Sequence, residues 1–438
     1  MQTGGELKRQ LGIRSATALV VGEVIAVGIF LTPASMAKSL GSPLWLLVVW
    51  LVMGAMALCG ALCYGELAAR FPEAGGGYVY LREAYGPQVA FLYGWKSLLV
   101  MDPGITAALA VGVASYLNHI VSLSATGLKA VAIASILLLA LMNVLGLRVG
   151  AWLMRWLALM KTGLLVLIAV WGLGFQLGNW SNFIPFAARS SGSEPLMGAL
   201  AGAFVAAFFS FGGWWDVSKI AGEVRQPART LPRALAFGVM TVTVVYILTS
   251  TVFLYLVPLE RVTSDEAFAA QAGDALFGAS GAKIFSGIVI ISVLGSLAGV
   301  IMAAPRVYYA MARDRLFPPQ VALVHPRFGT PARAIVLQAG LASALVLLGT
   351  FNQIIAYFIF VTVAFIALTV AALFVLRRRR AAEPGYQVTG YPLTPLIFLL
   401  LIAVLLVLLA GHNPKQAVLG AAVVALGVPV YYLFFRKR

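Results

Sequence analysis

Apolar runs follow one another along almost the whole chain, separated only by short polar breaks. An α-helix that crosses a bilayer needs about 20 apolar residues, because each adds 1.5 Å and the hydrocarbon is about 30 Å thick. Runs near 16–40, 44–70, 88–117, 127–147, 150–174, 196–222, 234–258, 282–310, 333–349, 351–376, 392–410 and 416–435 fit that requirement, which predicts twelve spans. A balance of 61% hydrophobic to 11% charged residues, with mean hydropathy +0.95, excludes a soluble domain. The expectation is an all-α integral membrane protein embedded in a lipid bilayer.

A formal net charge of +16 would suit a nucleic-acid binder if the charge were clustered. It alternates from loop to loop instead. Lys8, Arg9 and Arg14 precede the first span, and Arg70, Arg82, Arg148, Arg155, Arg225, Arg229, Arg233, Arg313, Arg315, Arg327, Arg333 and Arg377 to Arg380 follow even-numbered spans or border them. Arg436, Lys437 and Arg438 fall on the same side, while the opposite loops hold few bases and gather Glu260, Asp265, Glu266 and Asp274. Cytoplasmic loops are enriched in Lys and Arg, so both termini are expected in the cytoplasm and no nucleic acid is expected as partner. The basic N-terminus followed by an apolar stretch is not a signal peptide on this reading, since that stretch belongs to a pattern repeated along the chain.

Two spans carry interruptions. In AFVAAFFSFGGWWDVSKIAGEVRQPARTLPRA, from Ala203 to Ala234, Gly212 and Gly213 weaken the helix; in VGEVIAVGIFLTP, Gly22 and Gly28 do the same. Backbone opened at membrane depth is tolerated only where protein or a polar cavity covers it. Two glycine-broken segments in corresponding halves of a membrane protein point to a transporter's binding site.

Charges inside spans are the next signal. Lys161, in AWLMRWLALMKTGLLVLIAVWGL, stands about nine residues from one end of the fifth span and so roughly 14 Å deep, too deep to reach an interface. Asp102 lies at similar depth beside Pro103; it can be protonated, pair with Lys161, or face the pathway. Glu23 and Asp216 flank the two broken segments, and Glu223 is expected near Lys219 and Arg225. Other chemistry finds no support. Cys59 and Cys63 sit on one helix without a disulfide framework, and His119, His325 and His412 fall near span ends, so no metal centre is expected. Gly75, Gly76 and Gly77 lack the Gly-Lys-Ser/Thr of a phosphate loop and read as a turn. No cofactor is implied, and an intramembrane enzyme is disfavoured because no histidine, serine and aspartate cluster at depth.

Four segments carry a family resemblance: GEVIAVGIFLTPA at 22–34, YGELAARFPEAGGGYVYLREAYG at 64–86, FSFGGWWDVSKIAGEVRQPARTLP at 209–232 and PRVYYAMARDRLFPP at 305–319. They resemble the amino acid–polyamine–organocation transporters, in particular bacterial relatives of the L-type amino acid exchangers. The resemblance implies a leucine-transporter-type fold with a 5+5 inverted repeat: a tail at 1–15, spans 1–5 over 16–174, spans 6–10 over 196–376, and peripheral spans 11 and 12 over 391–435. Spans 1 and 6 would be unwound at mid-membrane.

An amino acid zwitterion must exchange its hydration for fixed partners, with its carboxylate on half-helix N-termini and its ammonium on unwound carbonyls. That assigns the carboxylate to backbone around Ala26, Val27, Gly28 and Ile29, and the ammonium to carbonyls near Ile25 and around Phe209, Ser210 and Phe211, beside Gly212, Gly213 and Trp214. Family members usually show Gly-Ser-Gly where this chain has Ala26, Val27 and Gly28, which removes a hydroxyl and a flexible glycine. The resemblance makes Phe209 an aromatic that closes over substrate, and makes Trp215 a residue that narrows the side-chain pocket. It places Lys161 where sodium-coupled relatives bind an ion between spans 1 and 8, with Ser292 and Ser296 as hydroxyl partners. The implied function is a sodium-independent exchanger of neutral L-amino acids in the cytoplasmic membrane, working by alternating access. The alternative is a proton-coupled amino acid or polyamine symporter using Lys161 or Asp102. No accessory subunit is assigned.

Overall fold

The computed structural model describes residues 7–26, 28–190, 193–258, 273–349, 351–379, 385–412 and 414–435. Val27, the acidic Glu260, Asp265 and Glu266, and the basic Arg261, Arg380, Arg436, Lys437 and Arg438 lie outside these residues. The described chain is helical with no strand, apart from one isolated bridge between Leu11 and Val224. Its helices are α1 (Ile13–Val24), α2 (Gly28–Leu40), α3 (Pro43–Arg70), α4 (Gly77–Tyr85), α5 (Pro87–Lys96), α6 (Asp102–Asn118), α7 (Ala125–Val144), α8 (Leu147–Gly174), α9 (Leu196–Phe211) and α10 (Pro227–Leu256). The rest are α11 (Gly281–Ala303), α12 (Pro305–Arg313), α13 (Ala332–Leu348), α14 (Phe351–Arg379), α15 (Leu393–His412) and α16 (Pro414–Phe434). Among the described residues, ten helical stretches are long and apolar enough to cross a membrane.

The packing sorts these helices into a centre and a rim. In α11 with α12, 72% of the most apolar window is buried, against 22% in α16 and 28% in α15, so the former is central and the latter two lie outside. α1 packs against α8, α10 and α11, and α2 packs against α9. α8 shows how sequence chooses a face: Met154, Ala158, Lys161, Leu165, Ile168 and Gly172 recur at three- and four-residue spacing and are buried. Trp152, Trp156, Leu159, Leu167 and Val170 fall between them and are exposed, which is the pattern of an apolar helix set against lipid. Lys161 therefore shares its stripe with the core residues.

Two helix details depart from the expectation. α10 starts at Pro227, seven residues before the expected start of that span at 234, because prolines at the first turn lose no helical hydrogen bond and Pro232 is accommodated one turn later. Between α5 and α6 the chain makes a wide, π-type turn over Ser97–Met101, next to the proline that follows Asp102. Such widened turns relieve a break in the hydrogen-bond ladder.

One end of the bundle is closed by polar contacts. Gln10 and Leu11 donate backbone N–H groups to the Glu223 carbonyl at 2.8 and 2.9 Å, and Arg225 N–H returns to the Leu11 carbonyl at 2.8 Å. Glu223 is held by Arg306, whose Nη2 lies 3.0 and 3.1 Å from the two carboxylate oxygens; Lys219 and Arg225, its expected partners, do not supply that ion pair. Arg306 comes from α12, 83 residues away, so no local pattern announces it. Gly75 and Gly76 turn the chain with φ +121° and +55°, and Tyr78 and Arg82 beyond them both donate to Asp314, at 2.8 and 2.7 Å.

Candidate functional site

The first span opens at its middle. α1 ends at Val24, Ile25 leaves the helix at φ −72°, ψ 87°, and α2 begins at Gly28. An ordinary helix would satisfy the carbonyls before such a break with N–H groups of the next turn; here other groups must do so. Lys161, fully buried, donates its ammonium to the carbonyls of Gly22 and Ile25, to the Ser292 carbonyl at 3.2 Å and to Ser296 Oγ at 3.2 Å. Four oxygens thus surround a group with three donors, a shell that an ion would also satisfy. Ser296 Oγ lies 2.9 Å from the Gly22 carbonyl and 3.2 Å from that of Ile25, which ties α11 to the same break. Ser292 contributes its backbone carbonyl, and its hydroxyl has no hydrogen-bond partner among the described residues.

The second break faces the first. α9 stops at Phe211, Gly212 is extended at ψ 144°, and Gly213 takes φ +108°, a backbone conformation that a side chain would strain. A tight 3₁₀ helix then runs from Trp214 to Glu223. The two breaks are held together by Tyr246 of α10, whose hydroxyl lies 2.8 Å from the Val24 carbonyl and 2.8 Å from that of Ser210. Thr32 adds a side-chain bond to Ser210 Oγ at 2.8 Å and donates to the Gly28 carbonyl at 3.0 Å. Gly28 is in close approach: a Cβ there would lie 2.8 Å from Ser210 Cα.

Between the breaks is a cavity of about 160 Å³. Ala26 and Gly28 from the first break line it, with Phe209, Ser210, Gly212, Gly213 and Trp215 from the second. Glu23 and Asp216 supply its acidic groups, and Met101, Ile105, Val293 and Ile359 make most of the remainder apolar. Ile25 and Ile29 are buried beside it rather than lining it. Phe209 is 47% exposed at the wall, while Phe211 packs on Tyr246 with ring centroids 5.1 Å apart. Trp214, expected among the substrate contacts, turns away from the cavity to meet Tyr64 at 5.2 Å and Phe398 at 6.4 Å; its neighbour Trp215 takes the wall. Successive residues on a tight helix point to different sides, and adjacency in sequence hid that difference. Val27 lies outside the described residues.

Asp102 does not pair with Lys161. Its Oδ1 lies 3.4 Å from Lys219 Nζ, and its Oδ2 accepts from Tyr308 at 2.9 Å. Lys219 also meets Asp216 at 3.0 Å, so one fully buried ammonium serves two acids on different elements. The sequence sets Lys219 near Glu223, and the structure joins it to Asp216 and Asp102 instead. Sequence reasoning passed over Lys96, which is buried with its ammonium 4.7 Å from the Tyr93 ring centroid; a lysine within an apolar span was the available signal. Tyr246 and Thr32 carried no such mark.

The amino acid permease family matches residues 11–435, which takes in both breaks, Lys161 and the whole cavity. The chain belongs to the amino acid permeases. Relatives extend over the same length. The serine/threonine exchanger SteT of Bacillus subtilis (strain 168) is 30% identical over 99% of the permease and 98% of its own length. The large neutral amino acids transporter small subunit 2 of Homo sapiens is 31% identical, covering 98% and 81%, and the Asc-type amino acid transporter 1 of Mus musculus is 29% identical, covering 99% and 82%. The permease is therefore a multi-pass membrane protein of a transporter family and not an enzyme.

Proposed function

We propose that this permease is a sodium-independent exchanger of neutral L-amino acids, working by alternating access in the cytoplasmic membrane. The observation that carries the reading is the Lys161 ammonium set among the carbonyls of Gly22, Ile25 and Ser292 and the hydroxyl of Ser296. A fixed cation there supplies the charge that a bound metal ion would otherwise bring, so no ion need be carried. The substrate's carboxylate meets the N-terminal end of α2 around Ala26, Val27, Gly28 and Ile29, where the helix dipole favours an anion. Its ammonium meets carbonyls released around Phe209, Ser210 and Phe211, with Ile25 near, and Gly212 and Gly213 keep that backbone open. Phe209 closes the wall, and Trp215, with the limited cavity volume, favours small and medium side chains. The names of the relatives, a serine/threonine exchanger and a large neutral amino acids transporter among them, support the substrate class.

The same reading joins α1 with α2 as one crossing and counts α13 as another, which brings the ten long stretches to twelve. Residues 16–174 and 196–376 are then inverted repeats, 391–435 is peripheral, and the tail at 1–15 is cytoplasmic together with the C-terminus. The polar contacts of Leu11, Glu223 and Arg306 lie at the cytoplasmic end on this assignment and seal it.

Proteoliposomes test the reading. Labelled L-serine, L-threonine or L-leucine should accumulate when the lumen is preloaded with unlabelled amino acid and stay near background when it is empty. Equal uptake into empty and loaded vesicles, or uptake driven by a pH gradient into empty ones, would replace exchange with symport.

A further inference from the structure

Glu23 is only 5% exposed, and neither of its carboxylate oxygens receives a hydrogen bond among the described residues. It lines the cavity from the last turn of α1, ahead of the break in the chain. Around it the fit is close. Cβ atoms placed at Gly213 and Gly299 would lie 3.1 Å from Glu23 Cβ and 2.9 Å from its Oε1, so two glycines on two elements make room for this one residue, Gly299 for its carboxyl group. Gly213, which abuts Glu23, accepts the backbone N–H of Asp216 at 2.9 Å, and Asp216 is the other acid buried on this cavity wall.

The surrounding cations are engaged elsewhere. On α8, Lys161 is directed to the carbonyls of Gly22, Ile25 and Ser292, and among the described residues no hydrogen bond joins it to Glu23. On the 3₁₀ segment, Lys219 is shared by Asp216 at 3.0 Å and by Asp102 of α6 at 3.4 Å. On α5, Lys96 lies against the Tyr93 ring and donates to Met101 Sδ at 2.9 Å, and on α12 the Tyr308 hydroxyl is given to Asp102. α11 brings Gly299 against Glu23. Glu23 thus adds a further carboxyl group to a poorly solvated cluster in which one ammonium already serves two acids, and the smallest cation that relieves the crowding is a proton.

We propose that Glu23 and Asp216 form a proton-binding site at the wall of the transport cavity, holding one proton between them. The site rests on the reading of that cavity as the transport cavity. Its proton exchanges with water when the cavity opens, which makes the site a pH-sensitive element beside the amino acid, separate from Lys161. The proton stays on oxygen throughout: it passes from water to a carboxylate oxygen and back, and no other bond changes.

Infrared difference spectroscopy of the purified protein, titrated from about pH 9 to about pH 5, reads this directly, since surface carboxylates titrate lower. In the native protein a carboxylic-acid C=O band should rise within that window and shift on exchange into D2O. Glu23→Gln should remove it. Asp216→Asn should move its midpoint to lower pH, because the neighbouring charge is gone, and this second variant keeps the test open if the first fails to fold. A band constant across the whole window would mean a permanently neutral acid, and no band at all would mean an ionised one; either overturns the proposal. So would a titrating band that survives unchanged in both variants. Counterflow by the native protein, measured alongside, separates the two readings: loss of counterflow with an intact band removes the transport reading, and counterflow without the band removes the proton site.

Discussion

Replacing Lys161 with alanine should leave a folded protein whose amino acid counterflow falls by at least about 10²-fold. Removing one member of a buried charged constellation costs about 3–5 kcal/mol, because the groups it served are left without a partner in a poorly solvated place. Here those groups are the carbonyls of Gly22, Ile25 and Ser292, which come from two elements. Ser296 Oγ, 2.9 Å from the Gly22 carbonyl, is the only other donor described for that oxygen, so part of the join between α1 and α11 survives and the fold with it. The exposed apolar face of α8 is untouched by the change. Counterflow and thermal unfolding measured on the same preparation decide the matter. Native turnover in the variant would remove Lys161 from the mechanism, while unfolding would make it a structural strut.

A Gly28→Ala variant should lose affinity for every amino acid by a similar factor, about 5- to 150-fold. The added Cβ would fall 2.8 Å from Ser210 Cα, and backbone cannot rotate out of the way as a side-chain tip can. Overpacking of this kind costs about 1–3 kcal/mol, and here it is relieved by parting the two opened segments from which the carboxylate and ammonium contacts would come. Binding measured across serine, leucine and phenylalanine separates the two possible sites of damage. A uniform loss fits a fault in the contacts common to all amino acids, and a loss confined to large side chains would move Gly28 to the side-chain pocket.

The parts of this arrangement that were legible in the sequence are those with a local mark. Gly212 and Gly213 interrupt an apolar run, and the helix does stop at Phe211. Lys161 is a charge too deep to reach water, and it falls on the same stripe as Met154, Ala158 and Leu165, so its burial follows from periodicity. Partnerships between distant segments left no such mark. Lys219 bridges Asp216 to Asp102 across 117 residues, and Arg306 reaches Glu223 across 83, where local reasoning looked to near neighbours. Trp214 and Trp215 are alike in composition and differ in what they meet, because successive residues of a helix turn to different sides: Trp215 lines the cavity and Trp214 packs on Tyr64. Tyr246 has no distinguishing neighbours at all, yet it joins the two breaks.

The claim on which the account turns is that a lysine ammonium occupies the place of a transported metal ion. Counterflow of labelled amino acid by the native protein, run in sodium buffer and again with all sodium replaced by choline, addresses it most directly. Equal rates in the two media are predicted, since Lys161 already fills the carbonyl shell. A rate that collapses without sodium and returns when sodium is restored would contradict it.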